Sequence, residues 1–423
     1  MHVEPITCYR PRPEAAPEFA SPPYDVFDEH EARDYVARHP RSFLAIDRPE
    51  TSFPAGHDPH ADDVYERAHE LLAARVTDGT LLRDGMRCYY LYRLRSQGHE
   101  QTGIVAACSV DDYNNGIVGR HELTREDKET DRVRHIEATG CQTSPVLLAY
   151  RDNPVLEVLV EAAKAAEPLY DFSDDHGVRH TIWRVARPAA VESLRMMLEH
   201  VDRAYIADGH HRAAAAAHVC RDMRTGEKDH CSGNEAYNYL LCALFPASQL
   251  TILPYHRVVA DVAGLSEDEF VAALADAGIS IGERQDEPVL ASSPAEFGMY
   301  AFGAWRRLQM PGADGATSEA ELLQERVLGP ILGIEDARGD ARLSFVGGTI
   351  NPKELERRAG EKGAAFTMRA LTMGDLMRTA DEGRTLPPKS TWFEPKLLSG
   401  LLIRRVNHRE SVIDGALPHR SDS

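Results

Sequence analysis

Arg203–Ala217 reads RAYIADGHHRAAAAA. The run Arg203–Ala207 predicts a short buried strand. Asp208-Gly209 is a sharp exit from it, and the helix formers of Ala213–Val219 predict a helix with His210, His211 and Arg212 in its first turn. The first N–H groups of a helix lack acceptors inside it, and the macrodipole adds partial positive charge at the same end. Gly209 lets a ligand approach the backbone. Arg212 offers a planar fork matched to phosphate oxygens. Together these make an anion site, with phosphate the expected ligand. The competing account is an ordinary turn before an alanine-rich helix. His210 and His211, being adjacent, point in different directions and make a poor metal pair by spacing.

A chain of 423 residues has room for two or three domains, and 43% apolar content supports real cores. The net charge of −19 argues against a non-specific nucleic-acid binder, whose affinity rests on neutralising phosphates. Seven scattered cysteines without a CxxC pair argue against a disulfide framework and for a reducing compartment. No apolar run is long enough to span a membrane, and MHVEPITCYRPRPE has no signal-peptide core. The expectation is a cytoplasmic protein with no membrane partner and no nucleic acid.

Upstream of the central stretch, Asp28 with Glu31 predicts a capping box for a helix over Glu29–Arg38, and Ser42–Ile46 reads as a strand. SPPYDV before it is a rigid turn or a binding element. Residues 60–80 predict an amphipathic helix with Val64, Ala68, Leu71 and Leu72 on one stripe, stopped by Asp78-Gly79. Arg87–Arg95 and Gly103–Val110 predict a hairpin around Ser96–Glu100. Glu122–Thr139 predicts a charged helix and Pro145–Tyr150 a strand. Leu156–Ala166 and Val191–His200 read as helices around a strand at Thr181–Val185, and Glu235–Leu244 and Thr251–Val258 as strands or buried segments. From 261 to 385 a second α/β or α+β unit is expected. Its helices are Leu265–Ala277, Ser318–Leu332, Pro352–Gly360 and Thr372–Asp381, and its strands Glu296–Trp305, Leu343–Gly347 and Ala364–Arg369. The tail after His408 is expected to be loose.

Two further stretches carry chemistry. His121-Glu122 are expected at the start of the charged helix between Arg120 and Arg125, where a carboxylate stays ionised and can take a proton from a hydroxyl. Position 125 is Arg, so this is not HExxH. In TLPPKSTWFEPK, Pro387-Pro388 stiffen the approach, Lys389 supplies a point charge, and Ser390 and Thr391 supply hydroxyls. A stiff loop before a terminal strand is the plainer account. His256 and Arg257 either line a polar site or ride idly on an edge strand.

YIADGHHRAAA resembles the Gly-His-Arg phosphate loop of the ParB/sulfiredoxin-like fold. Together with His121-Glu122 and Pro388-Lys389-Ser390-Thr391, in that order, it is similar to the free L-serine kinase family. This resemblance spans roughly residues 115–405. The whole chain also resembles a large bacterial family of unknown function. The implied fold is mixed α+β: an N-terminal addition over 1–114, a ParB/sulfiredoxin-like phosphate-binding domain over 115–260, and a second α/β lobe over 261–423. The implied activity is transfer of a phosphoryl group from ATP or ADP to free serine or a similar hydroxy amino acid. Under it Glu122 would be the base and His121 its orienter. Asp208, Gly209, His210, His211 and Arg212 would hold the nucleotide phosphates, with Asp208 near Mg²⁺. Lys389, Ser390 and Thr391 would clamp phosphate. A homodimer is compatible with this. The alternative is a ParB-like nucleotide-dependent regulator without transfer chemistry, CTP being another nucleotide it could take. His210 stands where sulfiredoxin chemistry needs cysteine, so that activity is not expected.

Overall fold

The computed structural model describes residues 1–226, 231–311, 317–337, 339–387 and 389–406, so Pro388 and the tail after His408 lie outside the described residues. The chain forms two compact units. The first comprises 1–120, 124–250 and Pro395 onward, and the second 121–123 and 251–394.

In the first unit, β1 (Val3–Glu4), β2 (Tyr89–Ser96), β3 (His99–Ser109), β4 (Val118–Gly119), β5 (Val146–Tyr150), β6 (Tyr170–Ser173), β7 (Arg179–Val185), β8 (Ala204–Asp208) and β9 (Tyr239–Pro246) make one nine-stranded sheet. Its order is β4-β8-β5-β9-β3-β2-β7-β6, with β1 paired to β3. The β4–β8 and β5–β9 pairs are parallel and the others antiparallel. The β2–β3 hairpin turns through Gln97-Gly98, both at positive φ (49° and 82°), as a tight turn matched to strand twist requires.

Alternate residues on one face, among them Leu91, Ile104, Leu148, Ile206 and Cys242, form the main core. Packed with them are Leu156 and Val160 of α4 (Pro154–Lys164), Leu194 and Leu198 of α5 (Pro188–Glu199), and Ala213 and Ala216 of α6 (His210–Gly226). The intervening strand residues, such as Tyr92, Val105, Leu147 and Leu241, are buried as well.

Residues 1–114 do not stand apart, since β1, β2 and β3 belong to this sheet. Phe19, Phe43, Ile46, Leu72 and Leu81 also share one cluster with Cys141 and Ile403. The capping box of α1 (Glu29–Arg38) forms as expected, with Glu31 N–H 2.8 Å from Asp28 Oδ1. In α2 (Asp62–Thr77), Val64, Ala68 and Leu72 are buried, and Gly79 at φ 75° follows its end. Ser42–Ile46 is not a strand: Leu44–Asp47 is a helical turn. Phe43 and Ile46 face one cluster while Leu44 faces Tyr24 and Ala32, a two-sided burial that helical spacing satisfies. The charged helix α3 (Glu126–Thr139) starts four residues later than expected, so His121 and Glu122 precede it. All seven cysteines are free, six buried and Cys231 exposed. Among the described residues no helix is long and apolar enough to cross a membrane.

The second unit holds β10 (Tyr255–Val259), β11 (Ser280–Ile281), β12 (Glu296–Ala301), β13 (Ala304–Gln309), β14 (Leu343–Gly347) and β15 (Ala364–Thr367), in the order β11-β13-β12-β15-β10-β14. Every pair is antiparallel, so this lobe is α+β. Its helices include α7 (Glu267–Asp276), α8 (Pro352–Ala359) and α9 (Met373–Asp381). The run expected as one strand over Glu296–Trp305 is a hairpin that turns at Phe302-Gly303, both at positive φ. The helix expected over Ser318–Leu332 stops at Leu323 and continues as a π turn through Leu328. His256 and Arg257 sit on an interior strand, not an edge.

At Gly298 on β12 an added methyl would collide with the Val289 carbonyl and meet Thr367 Oγ1 at 2.5 Å. Gly298→Ala is expected to cost about 3 kcal/mol or more, through forced movement of backbone. A denaturant titration that reports the second unit checks it.

Candidate functional site

The first unit builds a strand–turn–helix junction at Asp208-Gly209. β8 is buried along AYIA, and its register against β5 shifts between Ile206 and Asp208, so the last residue leaves the regular ladder. Gly209 follows at φ 97°, a left-handed conformation that suits glycine. The first backbone bond after it runs from Ala213 N–H to Gly209 C=O at 3.0 Å. The N–H groups of the residues between lead out of the helix's first turn.

Arg212 locks this geometry. Its Nη2 lies 2.6 Å from Asp208 Oδ2, and its Nη1 donates to Ser144 Oγ at 3.0 Å and to the Pro145 carbonyl. The fork therefore joins helix, strand exit and the segment before β5. Lys396 Nζ stands 3.1 Å from Asp208 Oδ1. Asp208 thus has a cation on each oxygen. His210 is buried, and His211 Nε2 accepts the Arg125 N–H at 3.1 Å.

The resemblance implies Mg²⁺ beside Asp208. Mg²⁺ needs carboxylate oxygens, waters and phosphate oxygens at about 2.0–2.1 Å. Both Asp208 oxygens already meet cations, so the carboxylate does not fit an inner ligand in this arrangement, and no chemical step below runs through the ion.

The second unit carries the other candidates. Glu122 lies in an extended segment bridged in parallel to Leu386, and Leu386 N–H donates to the His121 carbonyl at 2.7 Å. His121 is fully buried, with Nε2 3.2 Å from Thr391 Oγ1. Ser390 Oγ donates to the Pro387 carbonyl at 2.6 Å and so closes its own turn. Lys389 is left-handed at φ 59°, and its Nζ is 5.7 Å from the Tyr255 ring centroid.

Arg257 holds this loop. From buried β10 its Nη1 donates to the Lys389 carbonyl at 2.9 Å and the Tyr255 carbonyl at 2.8 Å, with its guanidinium 4.5 Å from the Phe345 centroid. Burial pulls Arg257 down to about 10, against the opposing pull of Tyr255 and Glu122. His256 Nδ1 accepts the Met368 N–H at 3.2 Å.

The sequence candidates therefore fall into two sets: Asp208 through Arg212 in the first unit, and His121, Glu122 and Lys389 through Thr391 in the second. Lys396 was missed. Its signal was a second lysine in PKSTWFEPK, seven residues after the one singled out.

Burial, with Arg257 beside it, pushes His256 from 6.5 down to about 4. The unfolded chain then binds a proton that the native state refuses. His256 therefore contributes stability that is full above pH ~6.5 and is lost as pH falls toward ~4, on the order of 3 kcal/mol in all. His256→Gln is expected to flatten the stability–pH curve across that window, read by denaturant midpoints at stepped pH.

No curated protein matches the chain. Among solved structures it is similar to SbnI with C-terminal truncation from Staphylococcus aureus, at 13% identity over 73% of this chain and 91% of that one, TM-score 0.39. It is similar to a free serine kinase in complex with AMP at 14% identity over 68% and 86%, TM-score 0.36. A conserved hypothetical protein from Pyrococcus furiosus aligns at 13% identity over 71% and 95%, TM-score 0.35. The family model described as "Protein of unknown function (DUF1015)" matches residues 3–327, three quarters of the chain, and the chain belongs to that family.

Proposed function

We propose that this protein is a small-molecule kinase that moves a phosphoryl group from ATP or ADP to the hydroxyl of free serine or a similar hydroxy amino acid. The observation that carries the reading is the Asp208-Gly209 turn. It is a helix start fixed by Arg212 with a lysine, Lys396, brought to its carboxylate. Such a start suits phosphate oxygens. The motif order in the sequence supports the same reading.

In this reading the nucleotide phosphates lie against the N–H groups at residues 209–211. Lys396 turns from Asp208 toward phosphate oxygen, and Lys389 adds a second point charge. Glu122 takes the proton of the acceptor hydroxyl, and His121, through Thr391, keeps its segment in place. The hydroxyl oxygen forms the new P–O bond to the terminal phosphorus as the bond to the nucleotide's bridging oxygen breaks. The departing ADP or AMP carries the negative charge of that oxygen away. Positioning and charge neutralisation supply most of the rate in such transfers.

The test is incubation of the full chain with L-serine and ATP or ADP in the presence of Mg²⁺, following O-phosphoserine. Glu122→Gln is expected to lower kcat by about 10²-fold or more while nucleotide affinity stays. Lys396→Met is expected to weaken nucleotide binding and slow turnover together. Nucleotide binding without a phosphorylated product from any hydroxy amino acid leaves the nucleotide-dependent regulator as the function.

A further inference from the structure

One flank of α6 in the first unit, at Ala214, Ala217 and His218, floors a groove of about 580 Å³ whose other wall includes Tyr113, Asn114, Arg120 and Glu129. That volume lies within the range of small-molecule sites, about 300–1,000 Å³. Two of its charged groups have partners close by, while Arg120 lies over Tyr113. Arg224 meets both oxygens of Asp111 at 2.8 and 3.0 Å, and Glu129 meets His218 Nδ1 and Thr124 Oγ1, each at 3.2 Å.

The groove also has a flat platform. The Arg120 guanidinium lies 4.9 Å from the Tyr113 ring centroid, and a heteroaromatic ring can stack on such a plane. The two alanines leave room above the helix. Asn114 offers an amide with both donors and an acceptor. Finally, the flank is continuous with the phosphate turn, because His211 lies three residues before Ala214 on the same stripe. At 1.5 Å per residue, Ala217 is about 10 Å along the axis from His210, comparable with the reach from a nucleotide's phosphates to its base.

We propose that this groove takes the base and ribose of the nucleotide whose phosphates rest on the 208–212 turn, which assumes the phosphate-binding reading above. The test measures binding of ADP, ATP, CTP and pyrophosphate to the full chain by calorimetry. The tightest nucleotide is carried into two variants. Ala217→Trp fills the floor, and Asn114→Trp fills the rim from an exposed position that leaves the core untouched. Each is expected to weaken the nucleotide by about tenfold or more. Pyrophosphate should stay within about twofold.

Unchanged nucleotide affinity in both folded variants, or equal weakening of nucleotide and pyrophosphate, overturns the assignment. So does a parent chain that binds pyrophosphate but no nucleotide more tightly, which spares the phosphate turn. A parent chain that binds none of the four removes the phosphate turn and the groove together.

Discussion

A single carboxylate set between two cations organises the first unit. Asp208 meets Arg212 at 2.6 Å and Lys396 at 3.1 Å, with Arg212 almost wholly enclosed. Arg212 is committed three ways, to Asp208, Ser144 and the Pro145 carbonyl. It is a fastener for the turn more than a fork held out to a ligand. At the same turn His211 accepts the Arg125 N–H and Lys396 meets Asp208.

The second unit solves a similar problem with the same residue type. Arg257 reaches from an interior strand to the Lys389 carbonyl and holds a non-glycine residue in the left-handed region. That conformation costs about 1–3 kcal/mol and persists only where its surroundings over-determine it. His121, pinned to Thr391, and the short bridge between Glu122 and Leu386 complete the fixing of that loop. In both units an arginine fixes the backbone of a turn through a carbonyl oxygen, Pro145 for Arg212 and Lys389 for Arg257.

Much of this was readable in advance, and the gaps have identifiable causes. The strand–turn–helix at 203–217 was legible because each segment obeys its own local chemistry: an apolar run, Asp-Gly, then alanines. The capping box at Asp28 was legible for the same reason. Ser42–Ile46 misled because a short apolar run has no period of its own and took its shape from two clusters. The turn at Phe302-Gly303 hid because a phenylalanine at positive φ is not a turn signal. The helix start misplaced at Glu122 is a boundary error, since the charges that mark α3 begin before the helix does. The assignment of Arg212 to phosphate could not foresee Ser144, which is 68 residues away in sequence. Lys396 was obscure because its partner lies 188 residues upstream.

The return of residues 395–406 to the first unit bears on how the molecule is made. Arg404 donates to the Tyr239 and Ala236 carbonyls at 2.8 and 2.5 Å, and Arg404–Arg405 pairs with Cys141–Gln142. A ribosome releases these residues only after every strand of the second unit has emerged. The later-coded lobe can therefore mature while the earlier one still waits for its closing strand. Until then a nascent chain carries Asp208 beside Arg212 alone, its second carboxylate oxygen still without the lysine that meets it in the folded chain.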